Sequence, residues 1–306
     1  MKTILVLLAS FAGLAVIAEI GFRLTMGFGN PALYAPDPEI GYLLVPNQKI
    51  NRFGNRIEIN QYSMRNKEIQ KTKKNNTERI LFLGDSVVYG TARLDQSETI
   101  PALTEQKLQI DNKSVEVLNA AANSWGPRNE LAYLKRFGLF DADTLVLIIN
   151  TDDLFATKPS SLVVGKTYNY RTQAPPLALI DVYQSFETPP AIPELEQLRN
   201  SEKNKQAKNL AAIAEIKQLA EASNTRFILA MTPLLEELKT KSTPEEINAR
   251  KKLKDLVVTE KIEYLDFLKI WSDFPQPEFL YRDYIHPNLQ GNNKITKTIT
   301  QVLRDR

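Results

Sequence analysis

The chain has 306 residues, with 39 basic against 36 acidic side chains and a net charge of +3. That balance gives no reason to expect nucleic-acid binding, which leans on a strongly basic surface. An apolar fraction of 43% with 25% charged residues can bury a full core. Cysteine is absent, which removes disulfides, cysteine nucleophiles and thiolate metal sites and leaves the compartment open.

Lys2 precedes an apolar run over residues 4–18, which is interrupted by Glu19 and then Arg23. The run is short against the ~20 residues of a spanning helix and has the length of a signal-peptide core, with Val16 and Ala18 suited to a small-residue cleavage rule. If Glu19 and Arg23 lie near a membrane surface, the stretch to Met26 instead stays as a tilted anchor. Residues 1–27 are therefore expected to be a signal peptide or a transmembrane anchor, placing the remainder outside the cytoplasm, membrane-anchored or secreted.

Residues 28–77 are rich in turn formers (Gly29-Asn30-Pro31, Pro36-Asp37-Pro38, Gly41) and read as an extended linker packing on the main domain, with short strands over 52–65. The basic cluster Lys71-Thr72-Lys73-Lys74 reads as a solvated part of that linker. From residue 78 to 306, short apolar runs at 80–83, 115–118, 145–149, 227–231 and 264–266 alternate with helical patterns at 100–108, 129–137, 207–222, 244–257 and 291–303. This rhythm predicts a doubly wound, flavodoxin-like three-layer α/β/α domain with a central parallel sheet and its active site beyond the carboxyl ends of the strands. Residues from about 155 to 200 break the rhythm with six prolines and several aromatics, and are expected to form an insertion over the site.

Histidine occurs once, as His286, three residues after Asp283. A general base working near neutral pH is usually histidine, so any serine-nucleophile chemistry here must use His286. Asp283 is its nearest orienting carboxylate. Ser86, following the strand-like Ile80-Leu81-Phe82-Leu83 in Gly84-Asp85-Ser86, is the best candidate nucleophile. Asp85 is expected to tie the turn through hydrogen bonds. An α/β-hydrolase elbow would need glycine at position 88, where the chain has Val88. Asp152 and Asp153 give too few oxygens for a hard cation, zinc would need more histidine or cysteine, and Gly84 and Gly90 are too sparse for a nucleotide loop. No metal or cofactor is therefore expected.

Gly84-Asp85-Ser86, Asp283-x-x-His286-Pro287 before the last helix, and Asn150-Thr151-Asp152-Asp153 after the third strand fall in the order of the SGNH (GDSL-type) hydrolases, which the chain resembles over roughly 78–305. Tyr89-Gly90 and Glu98-Thr99-Ile100-Pro101 add to the likeness. The resemblance implies the doubly wound fold, with Ser86 attacking an acyl carbonyl, His286 relaying its proton and Asp283 orienting the imidazole. It also implies an oxyanion hole from the Ser86 amide and two further blocks. In the second, Ser124 falls where the family has glycine, and Trp125-Gly126-Pro127 follows as a possible floor. In the third, Asn150 falls at the glycine and Asp152 at the asparagine of Gly-x-Asn-Asp.

An ionised Asp152 would repel an oxyanion, and three readings stay open: Asp152 protonated by burial beside Asp153, Asn150 supplying the amide from two residues earlier, or a weakened enzyme whose pocket serves binding. The expected function is a serine esterase acting on an acyl ester, O-acetyl or other, of an extracytoplasmic glycan. The glycan rests on location and family analogy. Tyr168, Tyr170, Tyr183 and Phe186 of the insertion are either sugar-stacking groups or lid core. O-acyl transfer to a cell-envelope glycan and non-catalytic binding are the alternatives.

Overall fold

A computed structural model describes residues 1–109 and 114–305. Helix α1 (Lys2–Met26) opens the chain, with none of its residues buried. It ends at Gly27, whose φ of 68° is left-handed and where a Cβ would collide with the Asn51 carbonyl. Two antiparallel hairpins follow, β1 (Tyr34–Asp37) with β2 (Gly41–Leu44) and β3 (Gln48–Arg52) with β4 (Asn55–Ile59). The expected strands at 52–65 thus begin earlier. Phe53 and Gly54, with φ of 55° and 80°, close the second hairpin as a two-residue turn that needs both central residues left-handed.

Strands and helices then alternate. After β5 (Thr77–Gly84) come α2 (Ser86–Tyr89), α3 (Ile100–Gln109), β6 (Ser114–Ala121), α4 (Pro127–Phe137) and β7 (Thr144–Asn150). The inserted region carries α5 (Ala178–Ser185) and α6 (Pro193–Ser201). Next are α7 (Lys205–Ala222), β8 (Arg226–Thr232), α8 (Leu235–Lys239), α9 (Pro244–Thr259), β9 (Glu263–Asp266), α10 (Phe267–Ile270) and α11 (Leu289–Arg304).

The five strands β5 to β9 pair in parallel in the order β6-β5-β7-β8-β9, the flavodoxin-like arrangement expected from sequence. Residues 80–84 of β5 and all of β7 are buried, because helices cover both faces: α3 packs with α11, and α4 with α7. That two-sided burial is why these strands read as unbroken apolar runs. On α11, Ile295, Ile299 and Leu303 recur every fourth residue as its buried stripe, and Asn288 caps its start by accepting from the Gln290 and Gly291 amides. The chain order reverses between β5 and β7, so their carboxyl ends flank the crevice where doubly wound sheets bind ligands.

The region after β7 is clamped to the body through Glu202. Its carboxylate accepts from Arg128 at 2.5 Å and from the Lys158 amide at 2.8 Å, while Arg128 also donates to the Ala156 carbonyl. Desolvation raises the Glu202 carboxyl, but the Arg128 and Lys158 donors outweigh it and hold the group at about 2. A carboxyl depressed on folding stabilises above its unfolded value of 4.5 and loses that contribution as pH falls towards its folded value. The Tm advantage of the wild type over Glu202→Gln is therefore expected to be full at pH 7 and to shrink between pH 4.5 and 2. Melting curves of the two proteins across that range check it.

Candidate active site

Strand β5 delivers Ser86 to the crevice through a tight turn. Asp85 caps α2, its Oδ1 accepting from the Val87 amide at 2.8 Å. Gly84 is required by close approach: a Cβ there would lie 2.5 Å from Val88 Cγ2 and 2.7 Å from the Ile148 carbonyl oxygen. Gly84→Ala is accordingly expected to cost about 1–3 kcal/mol of stability by overpacking and to lower turnover by displacing Ser86. A melting curve and a kcat on the same sample check both.

The last loop brings its two residues to the serine from the other side. His286 Nε2 lies 2.8 Å from Ser86 Oγ, and His286 Nδ1 lies 2.9 and 2.8 Å from the two Asp283 oxygens. Asp283 Oδ1 also accepts from the Ile285 and His286 amides at 3.1 and 2.8 Å, so one carboxylate folds the loop and faces the ring. Partial burial raises the Asp283 carboxyl, but those amides and the imidazole together hold it below the ordinary carboxylate range. Arg282 N donates to the His286 carbonyl within the loop, and two contacts clamp it to the body: Leu235 N donates to the Tyr284 carbonyl and Tyr281 Oη to the Pro233 carbonyl at 2.6 Å. Hydrogen-bonding geometry thus gives Nδ1–H to Asp283 and leaves Nε2 to accept from Ser86.

Ser86, Ser124, Asn150, Asp152 and His286 all line one cavity of about 570 Å³. Asp283 stands behind His286 and not on the wall. Ser124 has φ of 54°, in the left-handed region that suits glycine, the residue that the resemblance leads one to expect at this position. Its Oγ accepts from Tyr170 Oη at 2.8 Å, and its N–H has no acceptor among the described residues. Asn150 is fully buried. Its Nδ2 donates to Asp85 Oδ2 at 2.9 Å, its Oδ1 accepts from the Asp152 amide at 2.8 Å, and its own N–H donates to Asp153 Oδ2 at 2.8 Å.

The two neighbouring aspartates divide differently from one of the readings drawn from sequence. Asp153 is the buried carboxyl, pushed well up by desolvation first and by Asp85 and Glu130 next. Asp152 is exposed, and its milder rise comes from partial desolvation, then from Glu246 and Glu237, not from Asp153. Desolvation thus comes first at Asp152, as the burial reading expects, while the neighbouring charges that add to it are Glu246 and Glu237. Thr151, between Asn150 and Asp152, is pinned from behind: its Oγ1 donates to Glu237 Oε2 at 2.5 Å and accepts from Arg250 Nη2 at 2.8 Å.

Trp125 stands on the wall, as the sequence suggested for the floor, while its contacts and other residues near the site are legible only in three dimensions. Trp125 lines the floor and donates Nε1–H to the Tyr42 carbonyl of the second strand, while Tyr42 Oη donates to the Asn123 carbonyl. Glu130 on α4 is completely buried, its two oxygens lack partners among the described residues, and desolvation followed by Asp85 pushes its carboxyl well up. The region after β7 contributes Phe155, Tyr170, Leu195 and Arg199. Of its four aromatics singled out from sequence, only Tyr170 lines the cavity, packed against Tyr34 and Tyr42. Tyr168 is bonded to Arg52, and Tyr183 and Phe186 point to solvent. Among the described residues no group of histidine, aspartate and glutamate side chains is arranged to hold a metal.

A family model for GDSL-like lipase/acylhydrolases matches residues 82–294, well over half of the chain. The chain belongs to this family. It is thus an enzyme of the ester-cleaving, acylhydrolase class. No curated protein matches its sequence. Solved structures share the GDSL fold at low identity. An acetyl xylan esterase, AlAXEase, is 13% identical with a TM-score of 0.52, covering 74% of this chain and 99% of its own. A mutant of Axe2, an acetyl-xylooligosaccharide esterase from Geobacillus Stearmophilus, is 13% identical with a TM-score of 0.51, covering 78% of this chain and 98% of its own. LAE5, an alpha/beta hydrolase enzyme from the metagenome of Lake Arreo, Spain, is 14% identical with a TM-score of 0.50, covering 74% and 97%.

Proposed function

We propose that this acylhydrolase cleaves an acyl ester through a covalent acyl-enzyme on Ser86. The supporting observation is the unbroken line of hydrogen bonds from Ser86 Oγ through the His286 ring to Asp283. Ser86 Oγ attacks the acyl carbonyl carbon as its proton passes to His286 Nε2, and Asp283 stabilises the imidazolium through Nδ1–H. The tetrahedral oxyanion takes donors from the Ser86 amide, the Ser124 amide and Asn150 Nδ2. Collapse breaks the C–O bond to the alcohol, which leaves with the proton held by His286. Water, deprotonated by the same nitrogen, then attacks the acyl carbon, and the bond to Ser86 Oγ breaks as His286 returns the proton to that oxygen and the acid departs.

For substrate we favour an O-acetyl or related ester on a glycan outside the cytoplasm. Two fold neighbours bear names that place acetylated xylan or xylooligosaccharide as their substrates, and Tyr170 and Trp125 offer aromatic wall to a sugar. The N-terminal helix is long and apolar enough to cross a membrane. Lys2 ahead of the apolar run supports a cytoplasmic position for that end, with the catalytic body on the far side. Labelling of the full chain with a fluorophosphonate, which phosphonylates activated serines with loss of fluoride, tests the reading. One adduct on the Ser86 peptide is expected, missing in Ser86→Ala and slowed in His286→Ala. Absence of labelling in the wild type would point to a binding protein instead.

A further inference from the structure

Helix α5 carries four apolar side chains turned away from the body: Leu177 at its cap is 46% exposed, Ile180 36%, Tyr183 67% and Phe186 86%. Ile180, Tyr183 and Phe186 step round the helix by about 60° each and so share one side, opposite the fully buried Ala178 and Asp181, while Leu177 sits at the extended cap before the first turn. Such a stripe on a globular surface calls for a covering partner.

The contacts of α1 say what that partner is. Glu19 Oε1 and Oε2 accept from the Ala178 and Leu179 amides at 2.8 and 3.0 Å, capping the first turn of α5. Arg23 pairs with Glu19 at 2.5 Å and donates to the Pro176 carbonyl at 2.8 Å. The only two charges within the last half of α1 are thus spent on α5. On its other side Ile17, Ile20 and Leu24 stay exposed, at 67%, 51% and 78%. Lipid-facing apolar surface therefore runs from Thr3 to Leu24, a rise of about 33 Å that matches a hydrocarbon core of ~30 Å. Counted only to Ala18 the rise would be about 24 Å, too short. Glu19 lies inside the fitted span, and so does the turn of α5 that it caps.

We infer that α5 is a second membrane contact, lying in the lipid interface beside α1 with Leu177, Ile180, Tyr183 and Phe186 toward the acyl chains. This rests on the anchor reading of α1. The joint is rigid: Asp181 accepts from the Gly29 amide at 2.7 Å and from Arg52 Nη1 at 2.6 Å, and Arg171 reaches from the residue after Tyr170 to Gln184 at 2.7 Å. The wall of the catalytic cavity is therefore held at a set height over the bilayer, and α1 acts as a post and not a loose tether.

Tryptophan quenching in vesicles of phosphatidylcholine and phosphatidylglycerol with brominated acyl chains tests this on the full chain. Native Trp125 and Trp271 are 1% and 4% exposed, so the wild type gives a quiet background. Phe186→Trp is expected to lose emission mainly to bromines near the headgroups. Leu8→Trp, about 16 Å further along the α1 axis than Glu19, is expected to lose it mainly to bromines deep in the chains. Quenching at Leu8→Trp with a water-exposed, unquenched Phe186→Trp would overturn the α5 contact and leave the anchor standing. No quenching at either position would overturn the anchor reading and this inference with it.

Discussion

Replacing Ser86 by alanine is expected to lower kcat for p-nitrophenyl acetate on the order of 10⁴- to 10⁶-fold, and His286→Ala to do the same. The reason is geometric. Among the described residues His286 Nε2 is the nearest base to Ser86 Oγ, at 2.8 Å against 3.3 Å for Asp85 Oδ2, and no second histidine exists to replace it. The double variant should be no slower than either single one, since the two groups perform one proton-coupled attack and its loss is complete once either is gone. Asp283→Ala is expected to cost less, about 10²- to 10⁴-fold. Its side chain is 46% exposed, so water takes over part of the imidazolium stabilisation, although the loop it folds through the Ile285 and His286 amides loosens. Multiplicative losses in the double variant would show Ser86 and His286 acting separately, and would sink the covalent mechanism.

The central sheet was readable because parallel strands covered on both faces must be apolar throughout, as in Leu145-Val146-Leu147-Ile148-Ile149. The Asp283 and His286 pairing was readable for another reason: both lie in one turn, so sequence proximity equals spatial proximity. Elsewhere the information lay in contacts between distant segments. The second hairpin turns on Phe53-Gly54, with a bulky residue at φ of 55°, where the usual signal would be asparagine or aspartate before glycine. Its neighbour Tyr42 meets the cavity floor through Trp125, 83 positions later. Arg52 reaches Asp181, 129 positions away, in a buried ion pair that joins α5 to this hairpin. Nothing local in either segment announces the other. The roles of Asp152 and Asp153 likewise could not be separated from sequence, since only the fold shows Asp153 buried under the Asn150 amide and Asp152 exposed.

That division sets the second large expected effect, at Asn150. Its Nδ2 carries two hydrogens, of which one goes to Asp85 Oδ2, leaving the other for the cavity beside Ser86. Asn150→Ala is expected to lower kcat by about 100- to 1,000-fold with little change in KM, the pattern of a donor that strengthens only as charge develops on the substrate oxygen. Asn150→Asp should be at least as damaging, since it puts a carboxyl against Asp85, whose own pKa burial already raises. Asp152→Asn is expected to move in the opposite direction. An exposed carboxylate acts through solvent, where two charges even 4 Å apart exchange only about 1 kcal/mol, so its removal should raise kcat/KM by less than about tenfold. Steady-state kinetics on the three variants decide the matter. A large loss at Asp152→Asn with an indifferent Asn150→Ala would assign the oxyanion to a protonated Asp152. The expected pattern instead means that a side-chain donor reaches the site from the last residue of β7, two positions before the residue that the Gly-x-Asn-Asp alignment puts there, with Asp153 holding the backbone of Asn150 from below.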